Sequence, residues 1–231
     1  MLCIGEEKKY PENQKRILDL LLQKPIQQKH LAEALAISGA GLLYHLNLLE
    51  NEHLIKKKTL FSVGNVSVNE ISIDPNSIQR ARQILGMKAG KYTLITGFGK
   101  DSTLGESHAI PAITLHLLSE MGYNIDRIVV FITPESNVES AKRLIKIDKV
   151  ISAQYEDYRN TDSDVMHQLE AIIQEEQEDH DVILDLTPLT KLLTIKLLEL
   201  STRCQIPSVY IGKSLKKKDE LLWIYQVPAK A

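Results

Sequence analysis

The sequence predicts an α/β protein in two parts, a helical head closed by a hairpin and then a mostly parallel sheet, and three observations carry that prediction. From Lys91 to Tyr225, strand-like and helix-like stretches alternate. Their strands are continuous apolar runs, as expected for a sheet covered by helices on both faces. Ahead of them, apolar residues recur three times at helical spacing and then switch to a two-residue period on either side of Gly64-Asn65. The expected boundaries are 1–74 for the head, 75–90 for a linker helix and 91–231 for the sheet domain.

In the head, Ile17, Leu18, Leu21 and Leu22 lie on one helical stripe, which Lys24-Pro25 closes. A short helix, Gln28 to Leu35, is expected to bury Leu31, Ala34 and Leu35. After a tight turn at Ile37-Ser38-Gly39, a third helix from about Ala40 to Asn51 carries Leu42, Leu46 and Leu49 on one face. Strand-like segments at Leu54–Lys58, Leu60–Val63 and Val66–Ile73 follow, with Gly64 supplying positive φ for the hairpin turn. Three helices and a hairpin make a winged helix-turn-helix.

From Ile17 to Ile55 the chain resembles the arsenic-repressor-type and related archaeal winged-helix regulators, through Leu31-Ala-Glu-Ala-Leu35, His45-Leu46, Leu49-Glu50 and Leu54-Ile55. That resemblance implies double-stranded DNA as a partner, with the third helix in the major groove. Ser38, Ala40, Tyr44 and Asn47 are the candidate base-side residues, and Lys29, Lys56, Lys57 and Lys58 the candidate phosphate contacts. The third helix holds no Arg or Lys, and over residues 1–74 nine basic side chains balance nine acidic ones. A winged helix that only dimerises is therefore the alternative. The metal-sensing branch of this group needs a cysteine-rich motif that is absent here, and no metal site is expected.

The joint opens with Asp74-Pro75-Asn76-Ser77, an N-cap followed by an early proline, and runs helically from Ile78 to Leu85 before Gly86. Arg80 and Arg82 are expected in solvent.

In the sheet domain, strands are expected at Tyr92–Thr96, Arg127–Ile132, Lys149–Gln154, Asp181–Leu186, Ser208–Ile211 and Leu221–Gln226. Helices are expected over Ser107–Met121, Asn137–Lys146, Asp164–Glu178 (with an acidic outer face) and Leu189–Arg203. Lys213 and Lys216-Lys-Lys218 read as a solvated turn. Two polar loops sit at strand ends, Gly97-Phe-Gly-Lys-Asp-Ser102 and Thr187-Pro-Leu-Thr-Lys191, where open parallel sheets bind ligands.

Standard nucleotide motifs do not fit these loops. A dinucleotide fingerprint needs glycine at 102, where Ser102 stands. A phosphate-cradling P-loop needs glycine at 94 and an uninterrupted Lys-Ser pair, but Leu94 and Asp101 intervene. No Gly-x-Ser-x-Gly elbow is present.

The second part resembles the CRISPR-associated Rossmann fold (CARF) domain, a Rossmann-like α/β sheet. The matching motifs are Thr93-Leu-Ile-Thr-Gly-Phe-Gly99 with Lys100-Asp101-Ser102, then Asp185-Leu-Thr187-Pro-Leu-Thr190-Lys191, with Thr133-Pro134-Glu135 ending the second strand. Pro188-Leu189 departs from the Gly-Gly of many relatives, and the DNA head precedes the sensor rather than following it. The resemblance implies a CRISPR-linked antiviral regulator that binds a cyclic oligoadenylate, with cyclic tetra-adenylate as the expected ring, across a homodimer. It implies a ligand site at Gly97, Phe98, Gly99, Lys100, Asp101, Ser102, Thr133, Thr187, Pro188, Leu189, Thr190 and Lys191. Helix N-terminal amides, hydroxyls and lysines suit phosphate, and Asp101 suits a ribose hydroxyl or a turn cap. No cofactor and no catalytic residue is expected. The alternative is a metal-independent ring nuclease using the same pocket; His108 and His116, beyond the first loop, are expected in packing or solvent roles.

A net charge of −2 and a pI near 6.4 leave any DNA contact to a local patch. Cys3 and Cys204 form no metal or disulfide pattern, no apolar run approaches a membrane span, and no signal-peptide order is seen. These features give a cytoplasmic location and no membrane partner as expectations.

Overall fold

A computed structural model describes residues 10–63, 66–87, 90–98, 110–132, 142–152, 164–189, 191–213 and 218–225. The chain forms two compact units, one ending at Lys88 and one beginning at Ala89.

The first unit contains α1 (Glu12–Gln23), β1 (Ile26–Gln27), α2 (Gln28–Leu35), α3 (Gly39–Asn51), β2 (Ile55–Val63), β3 (Val66–Ile73), a 3-10 turn at Pro75–Ser77 and α4 (Ile78–Leu85). Lys24 is extended because Pro25 disfavours helical backbone before it. The Ser38 hydroxyl accepts from the Gly41 N–H at 3.1 Å and so starts α3. The strands form an antiparallel sheet in the order β1-β3-β2.

Ile17, Leu18, Leu31, Leu42, Leu49, Leu54 and Ile71 are fully buried in one core, each contributing about 1.5–3 kcal/mol by leaving water. Ala34, expected inside, is exposed. Ala81 and Ile84 of α4 belong to the same core, so the segment read as a linker helix packs within the first unit.

Arg80 corrects its expectation more sharply. Its guanidinium donates to the Glu52 carbonyl at 3.1 Å, to the Glu52 carboxylate at 3.3 Å and to the Tyr10 hydroxyl at 2.9 Å, and only 18% of the side chain is exposed. A planar donor fork facing a mostly buried carboxylate stays out of solvent.

The second unit contains β4 (Tyr92–Phe98), α5 (Ile110–Glu120), β5 (Ile125–Ile132), β6 (Lys149–Ser152), α6 (Asp164–Asp179), β7 (Asp181–Asp185), α7 (Lys191–Cys204), β8 (Ser208–Lys213) and β9 (Asp219–Tyr225). Among the described residues six strands pair in the order β6-β5-β4-β7-β8-β9, all parallel except β9. This is the Rossmann-like, mostly parallel sheet that the alternation predicted.

Helices α6 and α7 cover one face, packing Leu169, Ile173, Leu193 and Leu197 on Ile95, Val129, Phe131 and Leu184. On the other face α5 brings Leu118 onto Leu94 and Ile183. One residue of the expected acidic outer face of α6 turns inward. Glu176 is 4% exposed, accepting from the Thr93 hydroxyl at 2.7 Å and pairing with Arg127 at 3.3 Å. Burial of that carboxylate is possible because both partners come from the sheet it packs on.

No helix among the described residues is long and apolar enough to cross a membrane. Residues 137–141 of the helix expected over 137–146, and the Gly64-Asn65 turn, lie outside the described residues; of the rest only Lys142 is helical, and 143–145 form a turn and bend instead.

Candidate functional site

Strand order decides where the second unit can hold a ligand. From β4 the chain steps outward to β5 and β6, then crosses back so that β7 lies on the other side of β4. In open α/β sheets the crevice forms where the direction reverses, at the carboxyl ends of the two diverging strands. Those strands are β4, aligned through Tyr92↔Asp181 to Ile95↔Leu184 with β7. The two loops singled out by sequence follow these two strands. A surface hollow of about 460 Å³ lined by Leu115, Ser119, Gly122, Tyr123, Asn124 and Ile125 lies elsewhere, where α5 turns into the amino end of β5. It is unrelated to the crevice.

At the crevice floor stands Asp185, fully buried. Its Oδ2 accepts from the Thr96 hydroxyl at 3.0 Å and the Thr114 hydroxyl at 2.8 Å, and its Oδ1 accepts from the Thr187 N–H at 3.0 Å. One carboxyl thus ties β4, α5, β7 and the loop after β7 together. Burial pushes its pKa above the usual carboxylate range, while the hydrogen bonds from Thr187, Thr114 and Thr96 oppose that rise. Thr114 also lies 3.1 Å from the Ile110 carbonyl. Its single hydroxyl proton can serve Ile110 when Asp185 is protonated and donates, or Asp185 when it is charged.

The expected ligand residues meet different fates. Gly97 and Phe98 complete β4, and Phe98 is buried. A Cβ at Gly97 would stand 2.3 Å from Leu189 Cδ2, so the missing side chain makes room for Leu189 rather than open space. Leu189 packs on the sheet core and Pro188 is buried. The Thr187 hydroxyl accepts from the Ile211 N–H at 2.7 Å and also bonds Asp185, so the fold already engages it. Lys191 is exposed in the first turn of the 14-residue α7. Gly99, Lys100, Asp101, Ser102, Thr133 and Thr190 lie outside the described residues. Asp185 was read in sequence only as a motif position; an acidic residue closing an all-buried strand was the available signal for its role.

In the head, Leu42, Leu46 and Leu49 turn inward, leaving Ala40, Tyr44 and Asn47 exposed on the outer side of α3. Tyr44 is 63% exposed, with its ring edge-on to His45. Ser38 is exposed but caps the helix. Lys29 projects from α2, and Lys56, Lys57 and Lys58 are all exposed on β2. Lys56 pairs with Asp74 at 3.1 Å. Among the described residues no cluster of three His, Cys, Asp or Glu could hold a metal.

Residues 11–56 match the family model described as winged helix-turn-helix DNA-binding. Of the curated proteins, none matches the chain in sequence. Among solved structures, the adhesin competence repressor of Streptococcus pyogenes is 19% identical, over 50% of this chain and 71% of its own, with a TM-score of 0.28. Lactococcus lactis ZitR in complex with DNA is 22% identical, over 52% of this chain and 64% of its own, at 0.27. Enterococcus italicus Csm6, bound to cyclic hexa-2'-fluoro-hexa-dAMP, is 18% identical at 0.37; the match takes in 56% of this chain but only 36% of the Csm6 chain. Scores this low do not establish a common fold over the superposed length. The head is a winged helix-turn-helix, and it is followed along the chain by a Rossmann-like α/β unit.

Proposed function

We propose that this chain is a ligand-sensing transcription regulator that binds a cyclic oligoadenylate, with cyclic tetra-adenylate the expected ring, in a homodimeric CARF-type crevice and so controls DNA binding by its head. The observation that carries the proposal is the strand order, in which β4 and β7 diverge with α7 starting just beyond β7. The N-terminus of a 14-residue helix turns its positive dipole end to phosphate, and Lys191 adds a full charge there. With the Thr187 hydroxyl engaged, phosphate contact falls to these groups, to Thr190 and to Lys100 and Ser102 of the first loop. A two-fold ring spanning two copies would favour one placement of the paired heads. Coupling needs only that the placements differ in ligand affinity.

The test is a mobility shift of a selected duplex with and without cyclic tetra-adenylate, beside calorimetric titration of the ring alone. Lys191→Ala should weaken ring binding about tenfold, the scale of one charge-assisted hydrogen bond, with an unchanged melting curve. Unaltered binding would remove Lys191 from the site. Linear products on incubation would favour ring cleavage instead.

On the DNA side, Lys57 and Lys58 are the better phosphate candidates, since Lys56 already faces Asp74. Lys57→Ala should weaken all duplexes alike and flatten the slope of log affinity against log salt by about one. An unchanged slope would exclude Lys57 as a phosphate contact.

A further inference from the structure

Strands β4 and β7 pair only as far as Ile95↔Leu184, and past that rung the two no longer meet. The space between them is stopped from both faces of the sheet. On the α5 side stands the buried carboxyl of Asp185, tied to Thr96 and Thr114. Alternation along β4 puts Gly97 on the other face, with Ile95. There the stopper is Leu189, whose side chain lies on Gly97 and packs on the core that holds Ile95 and Phe131.

Gly97 is fitted to that side chain. Its strand is buried from Thr93 onward, and no positive φ calls for a glycine at this position. A glycine inside a strand weakens it and often marks a close approach. Here a Cβ would run into Leu189 Cδ2 and would stand 3.4 Å from the Phe131 carbonyl oxygen. The strand gives up a side chain and the loop after β7 supplies one, so the two residues act as a pair. The same loop is held elsewhere too. The Thr187 N–H donates to Asp185, the Thr187 hydroxyl accepts from the Ile211 N–H, and Pro188 is buried.

We propose that Leu189, seated on Gly97, is the floor of the ligand crevice and fixes how deep a cyclic oligoadenylate can sit. The proposal rests on the reading of this crevice as the ring site. Leu189 is only partly buried, and it stands two residues before Lys191, at most about 7 Å along the chain, so one nucleotide can touch both. The two residues offer opposite chemistry. A leucine methyl makes no hydrogen bond, and the described polar groups at this end of β4 and β7 are already bonded within the fold. A phosphate or a base edge pressed to that depth would give up water without a replacement partner. The floor therefore takes an apolar part of the ring, a base face or the ribose carbons, while phosphate turns to Lys191 and the end of α7. Depth is set by the combined volume at 97 and 189, because packed side chains yield little.

The test is calorimetric titration of the full-length protein with cyclic tetra-adenylate at several salt concentrations, beside a melting curve for each variant. Gly97→Ala lifts Leu189 off β4 into the space of the ring, and should weaken binding about tenfold, the scale of one overpacked contact. Its salt dependence should match that of wild type, because Lys191 and the end of α7 stay in place. Adding Leu189→Ala to Gly97→Ala should return the affinity to within about threefold of wild type, as coupled neighbours do. Leu189→Met, close in volume, should bind as wild type does. Were Gly97→Ala to lose its folding transition, Leu189→Phe, which raises the floor without touching β4, carries the same expected loss.

Ring binding by Gly97→Ala as tight as wild type would overturn the floor while leaving the crevice reading intact. So would a double variant that melts like wild type yet does not recover the ring, since the two side chains would then not act through each other. A changed salt dependence in Gly97→Ala would assign the loss to a displaced α7 and overturn the floor as well. Wild type that takes up no ring would overturn the reading of the crevice and the floor with it.

Discussion

Asp185→Ala is expected to lower the unfolding free energy of the second unit by about 3–5 kcal/mol, since each buried donor left without a partner costs about 1–3 kcal/mol. Three donors converge on this carboxyl, the hydroxyls of Thr96 and Thr114 and the Thr187 N–H. Thr114 can fall back on the Ile110 carbonyl, so the larger losses belong to Thr96 and Thr187. The chain's single tryptophan, Trp223, packs in the second unit and reports on that unit alone. Urea unfolding followed by its fluorescence measures the effect, and an unshifted midpoint would show that Asp185 braces nothing.

Asp185→Asn gives a second readout with a defined sign. Because burial raises the folded-state pKa of Asp185 above its unfolded value, the native state holds the proton longer. Its contribution to stability is complete below the ordinary carboxylate range and is lost as pH rises through the folded value. Asparagine has no such step. On acidification through that window the wild type should gain stability relative to Asp185→Asn; parallel curves would contradict the raised pKa.

Arg80→Ala should lower the stability of the first unit by about 2–3 kcal/mol, because it takes the guanidinium away from a mostly buried Glu52 carboxylate. Glu52 is 16% exposed, and Arg80 also braces its carbonyl and the Tyr10 hydroxyl. Hydrogen exchange of the α1–α4 amides in the full chain reads this change directly. Protection unchanged by Arg80→Ala would mean that the ion pair contributes nothing.

Tyr10 supplies the matching pH dependence. Burial first, and the hydrogen bond to Glu52 second, push its pKa up to about 12, against the opposing pull of Arg80. The contribution of Tyr10 is full below pH 10 and disappears as pH rises through about 12. Tyr10→Phe should abolish that alkaline loss.

Helices α1 to α3 and the hairpin were legible because their signals are local. The stripe of Ile17, Leu18 and Leu21, the Lys24-Pro25 stop and the change to a two-residue period each occupy a few neighbouring residues. The strands of the sheet were legible for the same reason. A β-bulge at Leu60, where the β2–β3 register jumps from Thr59↔Asn69 to Phe61↔Val68, was not, because register is a property of a pair of strands. Only pairing with β3 shows that β2 has one residue too many.

What the amino-acid order determined alone was the fold class and most of the elements and their types, as consequences of periodicity and of residues that start or stop a segment. The helix expected as far as Lys146 and the short strand Ile26–Gln27 were not among them. Tertiary structure decided which strands are neighbours, and so set the carboxyl ends of β4 and β7 beside each other. It also reassigned individual polar groups. The Thr187 hydroxyl, free in the sequence reading, meets Ile211; Arg80, read as solvated, meets Glu52; Asp185, read as a motif letter, gathers Thr96 and Thr114. Those partners stand 24, 28, 89 and 71 residues away along the chain. A hydrogen bond acts over about 3 Å, and only the folded backbone brings such positions that close.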